Sequence, residues 1–284
     1  MQFLCFCISG KILHMRSVIM ILMFFGCQQQ TSFNMTNNGT PPEKIKDIPV
    51  PQGTKRISIE SGRFGNWLRN VKLKKDKTVY LYNGSKKTNQ SAQIAVLDIP
   101  IGKQDLQQCA DAIIRLRAEY LLSVKADDKI AFHATGGTLL DYSSWKKGYR
   151  WKLIKNNLSK QLVADASISR NSFEEYLQLV FMYCGTRSLQ KELQPVEITS
   201  IMPGDVLIQG GSPGHAVIVM DVIIENNERK FLLAQSYMPA QDIHVLKNPL
   251  TTFYPWYAIP KASSKIYTPE WVFTINDCRR FPLM

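Results

Sequence analysis

The sequence predicts an α+β fold, a cysteine-bearing helix packed on an antiparallel sheet, and three patterns support it. From Asp105 to Leu122 apolar residues recur at helical spacing, with Ala110, Ile113, Ile114, the stem of Arg117 and Leu121 along one side. Val206–Gln209 and Ala216–Val222 are short apolar runs divided by the breaker-rich stretch Gly210–Gly214, which reads as strand, turn, strand. Glu225-Asn-Asn-Glu228 is a turn sequence, and Lys230–Ser236 returns antiparallel to the strand before it.

The chain opens on a targeting pattern. Met15-Arg16 begins a positive region, Ser17–Phe25 is an apolar run too short to span a bilayer, and Gly26-Cys27 closes it. Residues 1–14 read as an extended positive region or an upstream start, with translation from Met15. A small residue directly before cysteine resembles the lipobox of bacterial lipoproteins. That resemblance implies lipid attachment at Cys27 and a membrane-anchored protein facing the periplasm or cell surface. Residues 28–54, rich in Gln, Thr, Asn, Gly and Pro, read as a flexible tether. A single domain is expected over 55–284.

Apolar content of 45% and charged content of 20% are ordinary for a globular domain. The net charge of +12 is not. It is concentrated between Lys44 and Lys87 and at Lys146, Lys147, Arg150, Lys152 and Lys155, and it favours polyanionic partners. No zinc-finger, homeodomain or RNP-type pattern is present, so nucleic acid is not an expected partner. Beyond the signal the cysteines are Cys109, Cys184 and Cys278. An odd number in an exported protein leaves at least one free thiol. No CxxC pair or metal-ligand spacing occurs, and neither a metal nor a cofactor is expected.

Ahead of the cysteine helix, Phe64, Trp67 and Leu68 suggest a short helix, with strands at Thr78–Tyr82 and Gln93–Ile99 forming a β-rich N-terminal extension. After it, Lys129–His133 reads as a strand running to Gly136-Gly137. Tyr142, Trp145, Tyr149 and Trp151 then alternate with cations, a pattern that stacks on sugars or bases or packs a loop on the body. Ser172–Tyr183 is a second helix with Ser172 as its N-cap and Phe173, Tyr176, Leu177, Val180 and Phe181 on its apolar side. Cys184 looks structural. Trp271–Ile275 offers one last short strand.

Two residues carry candidate chemistry. Asp105 followed by Gln108 has the spacing of a capping box and places Cys109 in the first turn of its helix. There the free amides and the helix dipole favour a thiolate; a buried core cysteine is the alternative. His215 opens the second core strand beside a flexible glycine turn, where a general base can stay rigid and still meet substrate. Its partner depends on register. A two-residue Asn-Asn turn puts Ser236 on the histidine's face, and an odd-length loop puts Gln235 there. Gln235 is preferred, since its amide oxygen can accept the Nδ1–H and fix the tautomer. Asp221 lies on the same strand, too far along to help. Tyr237–Asp242 and Phe253–Pro260, with Trp256, are expected to wall the site.

In this order, Cys109-Ala-Asp at the helix, Pro203-Gly-Asp205 before the first core strand, Gly214-His215 at the second and Gln235 closing the third resemble the papain-like superfamily. The match is to NlpC-type and CHAP-type cell-wall cysteine peptidases and amidases, over about 105–240. The whole chain also looks like an uncharacterised family of Bacteroidetes lipoproteins, marked by Cys109–Ala112, Gly210–Ala216 and Ala234–Gln241. Two departures stand out: Gln108 and Ala110 flank the cysteine where the peptidases usually have Asp and Ser or Gly, and their third residue is rarely Gln.

The resemblance implies a cell-envelope cysteine hydrolase, an amidase or endopeptidase acting on peptidoglycan peptide or a related amide. His215 would take the thiol proton, Cys109 would attack the carbonyl, and the Cys109 amide would hold the oxyanion. Gln108, Ser212 and Gly214 are candidate substrate contacts. Ser236, Tyr237, Gln241 and Trp145 complete that set. The alternatives are a non-catalytic envelope lipoprotein of the same fold that binds a peptide or glycan, and a structural lipoprotein.

Overall fold

In the computed structural model, residues 41–251, 254–261 and 264–282 are described. The expected signal, Cys27, tether residues 28–40 and Phe253 lie outside them. In chain order the first elements are β1 (Lys55–Arg56), α1 (Phe64–Arg69), β2 (Gln93–Val96), α2 (Cys109–Ser123), β3 (Ala131–His133) and β4 (Leu139–Asp141). Next come α3 (Tyr142–Lys146), β5 (Tyr149–Ile154), β6 (Asn157–Leu162), α4 (Arg170–Tyr183), α5 (Thr186–Glu192) and β7 (Gln194–Pro195). The last are β8 (Val206–Gln209), β9 (His215–Glu225), β10 (Glu228–Gln235), β11 (His244–Leu246), β12 (Tyr257–Ala258), β13 (Lys265–Tyr267), β14 (Val272–Thr274) and β15 (Cys278–Arg280).

The chain is α+β, built on a nine-stranded antiparallel sheet in the order β2-β11-β10-β9-β8-β15-β7, with β1 added to β9 and β12 to β10. β9 is buried from His215 to Ile223 because both faces of the sheet are covered, which is why its sequence is a nearly continuous apolar run. Ala216, Ile218 and Met220 face one core, shared with α1, α2 and α4 through Leu68, Ile113 and Tyr176. Val217, Val219 and Val222 face a second core with Phe231, Tyr257 and Phe273. Sandwiched between the sheet and the other helices, α2 buries nearly its whole first three turns rather than one stripe.

The Asn226-Asn227 turn has both residues at positive φ, 49° and 63°, the form that tight hairpins use. It pairs Glu225 with Glu228, and the register then holds up to Asp221 opposite Leu232. There a bulge slips it by one, so that Leu233 faces Val219. The face that Ser236 would have taken passes to Gln235.

Several expectations need correction. Residues 41–54 are not a tether: Ile45 and Ile48 are buried in the core, and Pro49 O accepts a bond of 3.0 Å from Trp256 Nε1. Thr78–Tyr82 forms only isolated bridges, Tyr80 with Lys86 and Leu81 with Gln241. The cap of α4 is Ser169, whose hydroxyl accepts from Ser172 N at 3.2 Å. Cys184 does end that helix, but α5 follows at once from Gly185. No helix of the described residues is long and apolar enough to cross a membrane.

Candidate active site

Cys109 is the first residue of α2, and Gln108 is its cap residue. The reciprocal carboxylate comes from Asp111, whose Oδ2 accepts from Gln108 N at 3.0 Å. Asp105 instead accepts from Gln108 Nε2 at 3.2 Å and from Ala240 N at 2.6 Å, which ties the segment before the helix to the loop after β10. Gln108 is thus engaged in holding that loop. The backbone amides of Ala110, Ala216 and Cys109 itself bear on the Cys109 sulfur and pull its pKa down. Ala216 directly follows His215, so the helix start meets the strand at the histidine.

His215 is buried, with its ring against Tyr237 at 4.8 Å, Trp271 at 5.3 Å and Phe273 at 5.9 Å. Its Nε2 lies 2.8 Å from Gln235 Oε1. An amide oxygen only accepts, so Nε2 carries the proton and Nδ1 is left as a bare acceptor. The orienting bond is therefore at Nε2, not at Nδ1 as expected. Behind it Gln235 Nε2 donates to Glu270 Oε2 at 2.7 Å and faces His244 Nε2 at 3.5 Å. His244 in turn donates from Nδ1 to Asp242 O at 2.8 Å. Lys87 closes the array, its Nζ 2.6 Å from Glu270. The neutral glutamine thus has a carboxylate at its back.

Burial sets the charge state of the pair. It pushes the Cys109 thiol up to about 11, aided by the nearby Asp111 carboxylate and opposed by the three amides. Burial also brings His215 down to about 4, against the pull of Gln235 and Glu270. The expected thiolate is thus not the resting form; thiol and imidazole are both neutral at pH 7. No hydrogen bond joins Cys109 to His215 among the described residues.

Among the predicted substrate contacts, Ser236 is buried, and its hydroxyl is 2.9 Å from both Gln107 O and Gln241 O. Gln107 and Gln241 are buried as well, and the Nε2 of each has no partner among the described residues. Tyr237 covers His215 and is half-buried. Ser212 is exposed in the turn, and Gly214 is packed so that a Cβ there would lie 2.6 Å from Thr186 Oγ1. Trp145 is elsewhere: buried in the helical layer, it donates to Ser172 Oγ at 2.9 Å and carries Arg150 over its ring at 3.7 Å. Trp256 likewise holds the N-terminal segment rather than the site. Asp221 is bound to Arg56 and Arg69.

Sequence reading missed Glu270, His244, Lys87, Trp271 and Gln107. Only Gln107, beside Gln108 and Cys109, had a local cue. Among the described residues no group of His, Cys, Asp or Glu is arranged to hold a metal ion.

A family model described as Domain of unknown function (4846) matches residues 45–280. The chain belongs to that family. The match begins at the buried Ile45, inside the segment read as a tether, and takes in Cys109, His215, Gln235 and Glu270 together. No curated protein and no solved structure matches the chain.

Proposed function

We propose that the protein is a cysteine hydrolase, an amidase or endopeptidase with a papain-like core of the NlpC or CHAP type. The observation that carries this reading is the imidazole of His215, held through Nε2 by Gln235, on the strand that packs against the helix that Cys109 opens. Nδ1 takes the thiol proton as sulfur attacks a substrate carbonyl, and Glu270 stabilises the imidazolium through Gln235. Proton transfer accompanies attack, because both groups start neutral. The Cys109 amide receives the oxyanion. The unpartnered Nε2 groups of Gln107 and Gln241 are donors that substrate carbonyl oxygens would satisfy. Protonation of the leaving amine by His215 gives a thioester, and water then releases the acid.

The substrate class is peptidoglycan stem peptide or a related envelope amide, and the setting is the envelope, with a lipid on Cys27. The resemblance to NlpC-type and CHAP-type enzymes supports the substrate class, and the export pattern of the sequence supports the setting. A second reading, a non-catalytic module that binds an envelope peptide or glycan, is favoured by the high-lying Cys109 thiol and the missing Cys109–His215 bond.

The test incubates the protein with purified stem-peptide and cross-linked peptidoglycan fragments and follows product masses. Cleavage that disappears in Cys109→Ala and His215→Ala supports the hydrolase. Fragments that bind but emerge intact from the folded protein would discard the hydrolase and leave the module.

A further inference from the structure

Two turns along α2 from Cys109, Arg117 is 8% exposed, yet its guanidinium has no hydrogen bond or carboxylate partner among the described residues. It is wrapped by rings instead: Phe64, Tyr120 and Phe281 have centroids 5.2, 5.4 and 4.9 Å from its central carbon. An unpaired buried cation is costly, and burial already pulls its pKa down. The guanidinium is not sealed off. It borders a cavity of about 390 Å³ whose walls include Phe64, Pro203 and Phe281, a volume at the lower end of the roughly 300–1,000 Å³ of small-molecule sites.

The Pro203-Gly-Asp205 motif builds this cavity. Gly204 has φ +98°, and a Cβ there would lie 2.8 Å from the Phe64 ring. Asp205 accepts from Arg280 Nε at 2.6 Å and Nη2 at 2.7 Å, which sets Phe281 over Arg117. The other charges at the rim compensate one another: Arg280 with Asp205, and Arg63 with Glu60 at 3.1 Å. Among the described residues, Arg117 is left as one uncompensated positive charge facing apolar walls.

We propose that this cavity binds a small organic monoanion, a carboxylate with an apolar body. The carboxylate pairs with the Arg117 guanidinium, and the body lies against Phe64, Pro203 and Phe281. Carboxylate geometry suits the planar fork of arginine, and the rings that stack on the guanidinium hold that fork in place. The site is separate from the thiol and does not depend on the hydrolase reading.

The experiment is calorimetric titration of the full chain with 3-phenylpropionate and with its neutral amide. The expected result is saturable binding of the acid, with the amide weaker by roughly ten- to a hundredfold, the worth of a hydrogen-bonded charge pair. Arg117→Met should reduce binding of the acid to the level of the amide. Nuclear Overhauser contacts from the phenyl protons should reach Phe64 and Phe281. Inorganic phosphate at equal concentration should not displace the acid. Acid and amide binding equally, no saturable binding of either, full displacement by phosphate, or contacts confined to other residues would each overturn the proposal. The acid–amide comparison uses the unaltered protein, so it decides the matter even if Arg117→Met does not fold.

Discussion

Acidification should destabilise this protein through two buried histidines. His215 and His244 have folded-state values of about 4 and about 3 against an ordinary 6.5, in both cases chiefly through burial. A depressed value means that the unfolded chain binds the proton more readily. The stabilisation is therefore complete above pH 6.5 and drains away as pH falls toward the folded values. At pH 4.5 both imidazoles are still largely neutral in the fold. Two pH units at about 1.36 kcal/mol per proton then give a loss of about 2.5 kcal/mol from each. Together they take about 5 kcal/mol from a total stability that is typically about 5–15. The groups facing the pair are Gln235, Glu270 and Lys87: the carboxylate opposes the effect and the ammonium reinforces it. Urea unfolding at pH 7.0 and 4.5 measures the loss. His215→Gln and His244→Gln should each start less stable at pH 7.0, yet lose about 2.5 kcal/mol less than the unaltered protein on acidification. The carboxylates elsewhere in the molecule titrate alike in all three proteins and cancel in the comparison. An identical loss in all three would refute the reasoning.

Two further changes probe the network and the fold. Glu270→Gln removes the charge behind Gln235, one amide group away from the imidazole; at an effective dielectric of about 20 such a charge is worth at most roughly 2 kcal/mol to the imidazolium. A fall of up to about thirtyfold in kcat/KM for a cleaved peptide is expected, and an unchanged rate would rule Glu270 out as a positioning residue. Asp221 is fully buried and accepts from Arg56 Nε and Arg69 Nε, both at 2.6 Å. Asp221→Ala leaves the two arginines facing one another and should cost about 2–4 kcal/mol in urea unfolding, below the full value for a buried pair because both arginines retain some water. A loss under about half a kcal/mol would show that solvent screens them.

Much of the central sheet was legible, and the reasons are local. Val206–Gln209 came out with its observed limits because its side chains are buried and Gly210 follows. Cys109 at the helix start was recoverable from the polar run before it, although the carboxylate that caps the turn is Asp111 rather than a partner of Asp105. The cap of α4 was misplaced by three residues because Ser169 and Ser172 both suit the role. Ser172 was drawn into the core by a bond from Trp145 that no local pattern shows. Ile45 and Ile48 were hidden in a polar stretch whose burial depends on residues such as Val71, whose carbonyl receives the Ile45 amide. Glu270 lies 35 residues beyond Gln235 in a turn with no pattern of its own, so only the folded chain brings them together.

The slip in register between β9 and β10 has a consequence for how this site can change. Met220 is the unpaired residue of the bulge, and its being skipped is what gives the imidazole an amide rather than a hydroxyl. A variant that kept every residue but flattened the bulge would set Val217 opposite Ser236 and hand the histidine a hydroxyl, with Glu270 left facing the wrong side chain. Deleting Met220 would instead close the ladder with Leu233 still opposite Val219, and Gln235 would stay beside the imidazole. The site is thus tolerant of losing that residue and intolerant of pairing it.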